Sequence, residues 1–203
     1  MTGELSRFKA AVNELLTEVK KAISEVEPSR VEALLDALVL TKARDKKVLV
    51  VGAGRSGLVG RGFAMRLMHL GFDVYVLGET ITPAVGRGDL VLVISGSGTT
   101  TIPVTSAEIA KRVGAKVLAI TSHPESPLAR LADLTIPIPG REKAAREDEY
   151  YSRQLLGEHE PLAPLGTFFE ASCMIFLDGI IAELMGQLET SEADMKAKHA
   201  VIE

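Results

Sequence analysis

The chain has 203 residues and a formal net charge of −4, a length that fits one sizeable core or a core with an appended arm. The mild negative charge gives no electrostatic case for a nucleic acid or a membrane surface, and a single cysteine, Cys173, excludes an intrachain disulfide framework. Met1 to Lys21 is interrupted by Glu4, Arg7, Lys9, Glu14, Glu18 and Lys20, so it holds no apolar block of the signal-peptide or membrane-span kind, and a cytoplasmic protein is the simplest expectation.

Leu5, Phe8, Val12, Leu15, Leu16, Val19 and Ile23 recur at helical spacing and predict an amphipathic helix from Thr2 to about Val26. Pro28 and Ser29 are read as a break, after which Val31, Leu34, Leu35 and Leu38 predict a second helix. Both precede the first strand, so residues 1–44 are expected to form a helical arm that covers the core or meets a partner chain. From residue 45 onward short apolar runs appear at Val48–Val51, Val74–Leu77, Leu90–Ile94, Val117–Thr121 and Leu134–Ile138. Helical stretches lie at Ser56–Leu70, at Ile102–Val113 and, briefly, near Leu128. Continuous Val/Leu/Ile runs alternating with helices argue for a parallel sheet covered on both faces. The expectation is one α/β domain over 1–203: a doubly wound parallel sheet of about five strands with the N-terminal helical arm. Arg141 to Glu160 is charged and reads as a long excursion, either a lid or interface element or a solvated surface segment. Thr167 to about Met185 predicts a long, very apolar helix, and Ser191 to Ala200 a last, polar one.

Two loops carry the chemistry. "GAGRSG", Gly52 to Gly57, fits G-x-G-x-x-G between a strand and a helix, the setting of a dinucleotide fingerprint. It also fits a tight strand–helix turn with no ligand. "VISGSGTTTIP", Val93 to Pro103, crowds Ser95, Ser97, Thr99, Thr100 and Thr101 into one turn, with Gly96 and Gly98 allowing close backbone approach. A helix follows, so free N–H groups and the positive dipole end add to an anion site. The loop has no lysine and is not a nucleoside-triphosphate P-loop. Ordinary helix capping accounts for one hydroxyl, not for the cluster. In a doubly wound sheet the two loops should face one crevice at the carboxyl ends of the strands. A dinucleotide enzyme would use the first loop and an acid after the second strand, where Glu79 stands. A phosphate monoester clamped by Ser56 and by Ser95 to Thr100 explains both loops.

Together with "FAMRLMHLGF", "LGET" and "DLVLVISGSGTT", these loops resemble the sugar isomerase (SIS) domain family. "GEHEPLAPLGTFFE", Gly157 to Glu170, and the closing "KHAVIE" are similar to one branch of it, the 6-phospho-3-hexuloisomerases. The resemblance runs from Lys46 over nearly all the remaining chain, and departs from the branch's usual R-H-A-N-L-E in the residues around His199. It implies a SIS (flavodoxin-like) fold and an isomerase that interconverts D-arabino-hex-3-ulose 6-phosphate and D-fructose 6-phosphate. It further implies a place in the ribulose monophosphate route of formaldehyde fixation, functional coupling to hexulose-6-phosphate synthase, a homotetramer, and no metal or organic cofactor.

Moving a carbonyl between neighbouring carbons passes through an enediolate, which needs a base and donors for the developing oxyanion. Glu170 is the candidate base. The other reading is a capping box, Thr167-x-x-Glu170, in which the carboxylate only binds a backbone N–H. His199 is the second catalytic candidate, in its own or a neighbouring subunit, or else a surface histidine near a helix end. His69 ranks below it. The substrate-binding candidates are Arg55, Ser56, Ser95, Gly96, Ser97, Gly98, Thr99 and Thr100, with Arg55 equally able to pair with a surface acid. The dispersed histidines 69, 123, 159 and 199 show no metal-ligand spacing, and Cys173 reads as a core thiol. Two rival functions remain at this point: a non-catalytic phosphosugar sensor, and a nicotinamide-dependent oxidoreductase using "GAGRSG".

Overall fold

A computed structural model describes residues 5–140, 162–164 and 166–199. Five parallel strands form one sheet: β1 (Val48–Gly52), β2 (Val74–Val76), β3 (Leu90–Ile94), β4 (Lys116–Thr121) and β5 (Leu134–Pro137). Their order is β2-β1-β3-β4-β5, the flavodoxin-like order with its switch point between β1 and β3. Val48 pairs with Leu90 and Gly52 with Ile94, so β1 and β3 end level and their following loops leave side by side.

Alternation along each strand divides the core in two. Val48, Val50, Leu90, Leu92, Ile94, Leu118 and Ile120 face one side. Leu49, Val51, Val91, Val93, Val117 and Ala119 face the other. Neither face meets water, which is why the runs are apolar throughout rather than alternating. Helices α2 (Pro28–Ala43), α3 (Gly54–His69) and α6 (Thr167–Gln187) cover the first face with Leu34, Leu38, Phe63, Leu67, Phe176 and Leu177. Helices α4 (Thr101–Arg112) and α5 (Pro127–Leu131) cover the second, against the smaller residues of the strands. The short α7 (Glu192–Lys196) starts on a capping box between Ser191 and Asp194.

Pro28 opens α2 rather than merely breaking the preceding helix: it sits at the first helical position, where its missing N–H costs nothing. Helix α1 (Ser6–Ser24) buries only Val19 and Ala22, while Leu5, Phe8 and Leu16 stay more than 60% exposed. The charged Arg141–Glu160 excursion lies outside the described residues.

Two aspartates pin the amino ends of the strands. Asp89 accepts from the backbone N–H of Lys47 at 3.0 Å and of Gly86 at 2.9 Å, and pairs with the Lys47 ammonium at 3.2 Å. Asp133 accepts from the Val117 N–H at 2.8 Å and pairs with Lys111. Burial opposes ionisation at both, but these donors and the lysines outweigh it and hold each carboxyl below its ordinary range. The amino edge is thereby closed with fixed partners, which leaves the carboxyl edge for loops that meet a ligand.

Candidate active site

A pocket of about 690 Å³ opens at the carboxyl edge of β1, β3 and β4, within the size range of small-molecule sites. Most of its wall comes from four places. Ala53 and Ser56 belong to the β1–α3 turn, Ser95, Gly96, Ser97, Thr99 and Thr100 to the β3–α4 loop, Ser122 and His123 to the β4–α5 loop, and Gly166, Phe169 and Glu170 to the start of α6.

The first turn is as tight as its glycines allow. A Cβ on Gly57 would lie 2.8 Å from the Gly52 carbonyl oxygen, and one on Gly52 would lie 2.9 Å from the Gly57 Cα. Strand end and helix start therefore touch backbone to backbone, and Ser56 stands on the first turn of α3 at the pocket wall. Glu79, the acid after β2, is paired with Arg61 of α3 at 2.9 Å and does not line this pocket.

The second loop spends its hydroxyls on shaping itself rather than on capping α4. Thr100 is the N-cap but makes no side-chain cap bond. Ser95 Oγ accepts from the Gly98 N–H at 3.2 Å, and Ser97 Oγ accepts from the Thr99 N–H at 3.3 Å and from Thr99 Oγ1 at 3.1 Å. Ser97 and Thr100 hydroxyls lie 3.4 Å apart. Gly98 does not line the pocket but makes the loop possible: its φ is +62°, and a Cβ there would fall 2.0 Å from Ser126 Oγ. The result is a cup of hydroxyls in front of the free N–H groups of α4, suited to phosphate oxygens.

Glu170 stands opposite, in the first turns of α6, with a side chain only 13% exposed. The capping-box reading of Thr167 and Glu170 is not realised. The N-cap is Gly166, one residue earlier, and the Thr167 N–H donates to the Pro164 carbonyl at 3.2 Å. The Glu170 carboxylate instead forms an ion pair with Arg55 of α3, whose side chain is 62% exposed. So Arg55 reaches the site through Glu170. Beneath it, burial and the Glu170 charge push the Cys173 thiol well above its ordinary pKa, which keeps it neutral and unreactive.

His199 is elsewhere in its own chain. Its ring stacks on the buried His69 at 4.0 Å between centroids, at the carboxyl-terminal end of α3. The pocket is at the amino-terminal end of that helix, about 24 Å away for sixteen residues at the helical rise. Among the described residues no group of three or more His, Cys, Asp or Glu could hold a metal ion.

Among the wall residues absent from the sequence candidates are Ser122, His123 and Phe169. Ser122 and His123 lie at the carboxyl end of β4, where the strand-end rule alone could have pointed to them.

Comparison with known proteins agrees with this fold. The family model of the SIS domain matches residues 40–153. A protein of Aeropyrum pernix described only as uncharacterized is 53% identical over 95% of this chain and 91% of its own length. A 3-hexulose-6-phosphate isomerase of Mycobacterium gastri is 40% identical over 92% of this chain and 86% of its own. A solved structure from Methanococcus jannaschii, inferred to have a molecular function of 3-hexulose-6-phosphate isomerase, superposes with a TM-score of 0.74. It is 35% identical, over 97% of this chain and 98% of that one.

Proposed function

We propose that this chain, which belongs to the SIS domain family, is a sugar-phosphate isomerase that interconverts D-arabino-hex-3-ulose 6-phosphate and D-fructose 6-phosphate. The observation that carries this is the pairing, across one pocket, of a hydroxyl cup at a helix N-terminus with a nearly buried carboxylate. The cup, with Ser56 on its flank, holds the phosphate. That anchors C6 and leaves C2 and C3 to lie toward Glu170. Glu170 takes the proton from the carbon beside the carbonyl and returns it to the neighbouring carbon. Arg55, paired with that carboxylate, keeps it oriented between turnovers and stands ready to bind a sugar oxygen. The enediolate charge falls near the N-termini of α3, α4 and α6, all of which point their positive dipole ends at the pocket.

The finer reading is a homotetramer of the ribulose monophosphate route, cytoplasmic and working beside a hexulose-6-phosphate synthase. Exposed Leu5, Phe8 and Leu16 on α1, and an apolar groove of about 640 Å³ between α1, α2 and α6, supply surface for self-association. No helix among the described residues is long and apolar enough to cross a membrane. In such an assembly His199, remote from its own pocket, serves a neighbour's.

The test is direct turnover. Purified protein given D-arabino-hex-3-ulose 6-phosphate should release fructose 6-phosphate, followed by a coupled assay, with no nicotinamide or metal added. Tight binding without turnover would replace the enzyme reading with a sensor. Activity only on addition of a nicotinamide cofactor would replace it with an oxidoreductase.

A further inference from the structure

The phosphate end of this pocket has hydroxyls and backbone N–H groups but little formal charge. Among its described lining residues there is no lysine or arginine, and the one side chain able to become a cation is His123. Arg55 is engaged by Glu170. A dianion held by neutral donors alone keeps its full charge in a partly dry site, which is costly unless an opposite charge faces it.

His123 is mounted for that task. Its Nδ1 lies 3.0 Å from the Gly96 carbonyl oxygen. A carbonyl only accepts, so Nδ1 carries the hydrogen. The mount is itself braced: the same oxygen accepts from the Ser122 N–H at 3.0 Å and from Thr121 Oγ1 at 3.2 Å, and Thr121 Oγ1 accepts from the His123 N–H at 3.2 Å. Gly96 belongs to the hydroxyl cup, so the ring is tied to the phosphate loop and not merely near it. With Nδ1 spent, the nitrogen left for a ligand is Nε2. In the neutral ring it is a lone pair and repels a phosphate oxygen. Protonated, it is a charged donor.

Building on the sugar-phosphate reading of the pocket, we infer that His123 is a substrate-binding residue that takes up a proton on Nε2 when a phosphate dianion binds, and so supplies the positive charge that the hydroxyl cup lacks. The ionisable groups of its loop and pocket are Glu125 in its own loop and Glu170 on α6, the latter paired with Arg55 of α3. Arg55 stays charged, so Glu170 and Glu125 are the other groups whose protonation could change. Because the complex holds up to one more proton than the free partners, affinity falls as the pH rises.

The experiment is calorimetric titration with fructose 6-phosphate at about pH 7.5, where a phosphate monoester is already a dianion. It is run in two non-phosphate buffers of different ionisation enthalpy. The native protein and Glu170→Gln should show a buffer-dependent heat equal to uptake of a sizeable fraction of one proton. In His123→Asn, whose amide can still donate to Gly96, that uptake should vanish and affinity should weaken about tenfold, or 1.4 kcal/mol. Should the Asn variant melt early, His123→Gln is read in the same way. Binding without proton uptake in the native protein overturns the inference, as does uptake that survives in His123→Asn. Uptake that is lost in Glu170→Gln assigns the proton to Glu170 and overturns it too. Absence of any binding overturns the sugar-phosphate reading itself, and this inference with it.

Discussion

Replacing Glu170 by Gln separates chemistry from architecture. The side chain keeps its shape but loses the charge that pairs with Arg55 and the ability to accept a proton. The structural cost is small, because the partner is an arginine with a side chain 62% exposed to solvent. Such a pair contributes about 0–1 kcal/mol. No capping bond is lost either, since Gly166 is the N-cap and the Thr167 N–H is satisfied by Pro164. For a chain of 203 residues, about 1 kcal/mol lowers Tm by roughly 2–4 °C. The kinetic cost is of another order. Loss of a general base lowers turnover at least about a hundredfold, which is about 2.7 kcal/mol of activation free energy. Thermal melting and steady-state turnover on the same preparation measure both quantities. A variant that melts within a few degrees of the native protein and keeps kcat within tenfold would refute the assignment of Glu170 as base.

Three further outcomes are expected. Gly98→Ala places a Cβ 2.0 Å from Ser126 Oγ at a φ of +62°; the left-handed conformation alone costs about 1–2 kcal/mol, so denaturant unfolding should show a loss above about 2 kcal/mol, and an unchanged midpoint would mean that the loop is built differently. Asp89 has a folded pKa below its ordinary value, so its stabilisation is complete above the unfolded carboxyl pKa and disappears as pH falls through the lower folded value; Asp89→Asn should cost about 2 kcal/mol at neutral pH, in the range for hydrogen bonds to a charged group, and should flatten the acid side of the stability–pH curve, whereas parallel curves for the two proteins would contradict this role. Light scattering should report a tetramer, and mixing inactive Glu170→Gln with His199→Ala should restore part of the activity after subunit exchange; no recovery would place the whole site within one chain.

The sheet was legible because both of its faces are buried: strands such as Leu90–Ile94 carry no polar residue that could be mistaken for a solvent side. The two glycine loops were legible for a related reason, since "GAGRSG" and "SGSGTT" each follow an apolar run and lead into a helix. The start of α6 was harder. T-x-x-E is a valid capping signal, and only the left-handed Gly166, which begins the helix one residue sooner, frees Glu170 for Arg55. His123 was weighed only as one of four dispersed histidines, because a lone histidine in "TSHPES" looks like any surface residue until Gly96, twenty-seven positions away, is brought beside it. The His69–His199 stack joins a residue at the end of α3 to one 130 positions later, past the end of α7, a pairing that no periodicity records.

The contact between Gly52 and Gly57 has a consequence for how such proteins are sorted. A map of every possible substitution scored by growth or activity would show both positions as intolerant, and a pattern search for redox enzymes would collect the chain on the same residues. Yet the distances of 2.8 and 2.9 Å concern one stretch of backbone meeting another. What the glycine spacing records is the sharpness of a bend. The molecule bound beyond that bend is chosen by the hydroxyls, the imidazole and the carboxylate around it, and these have no fixed interval along the chain.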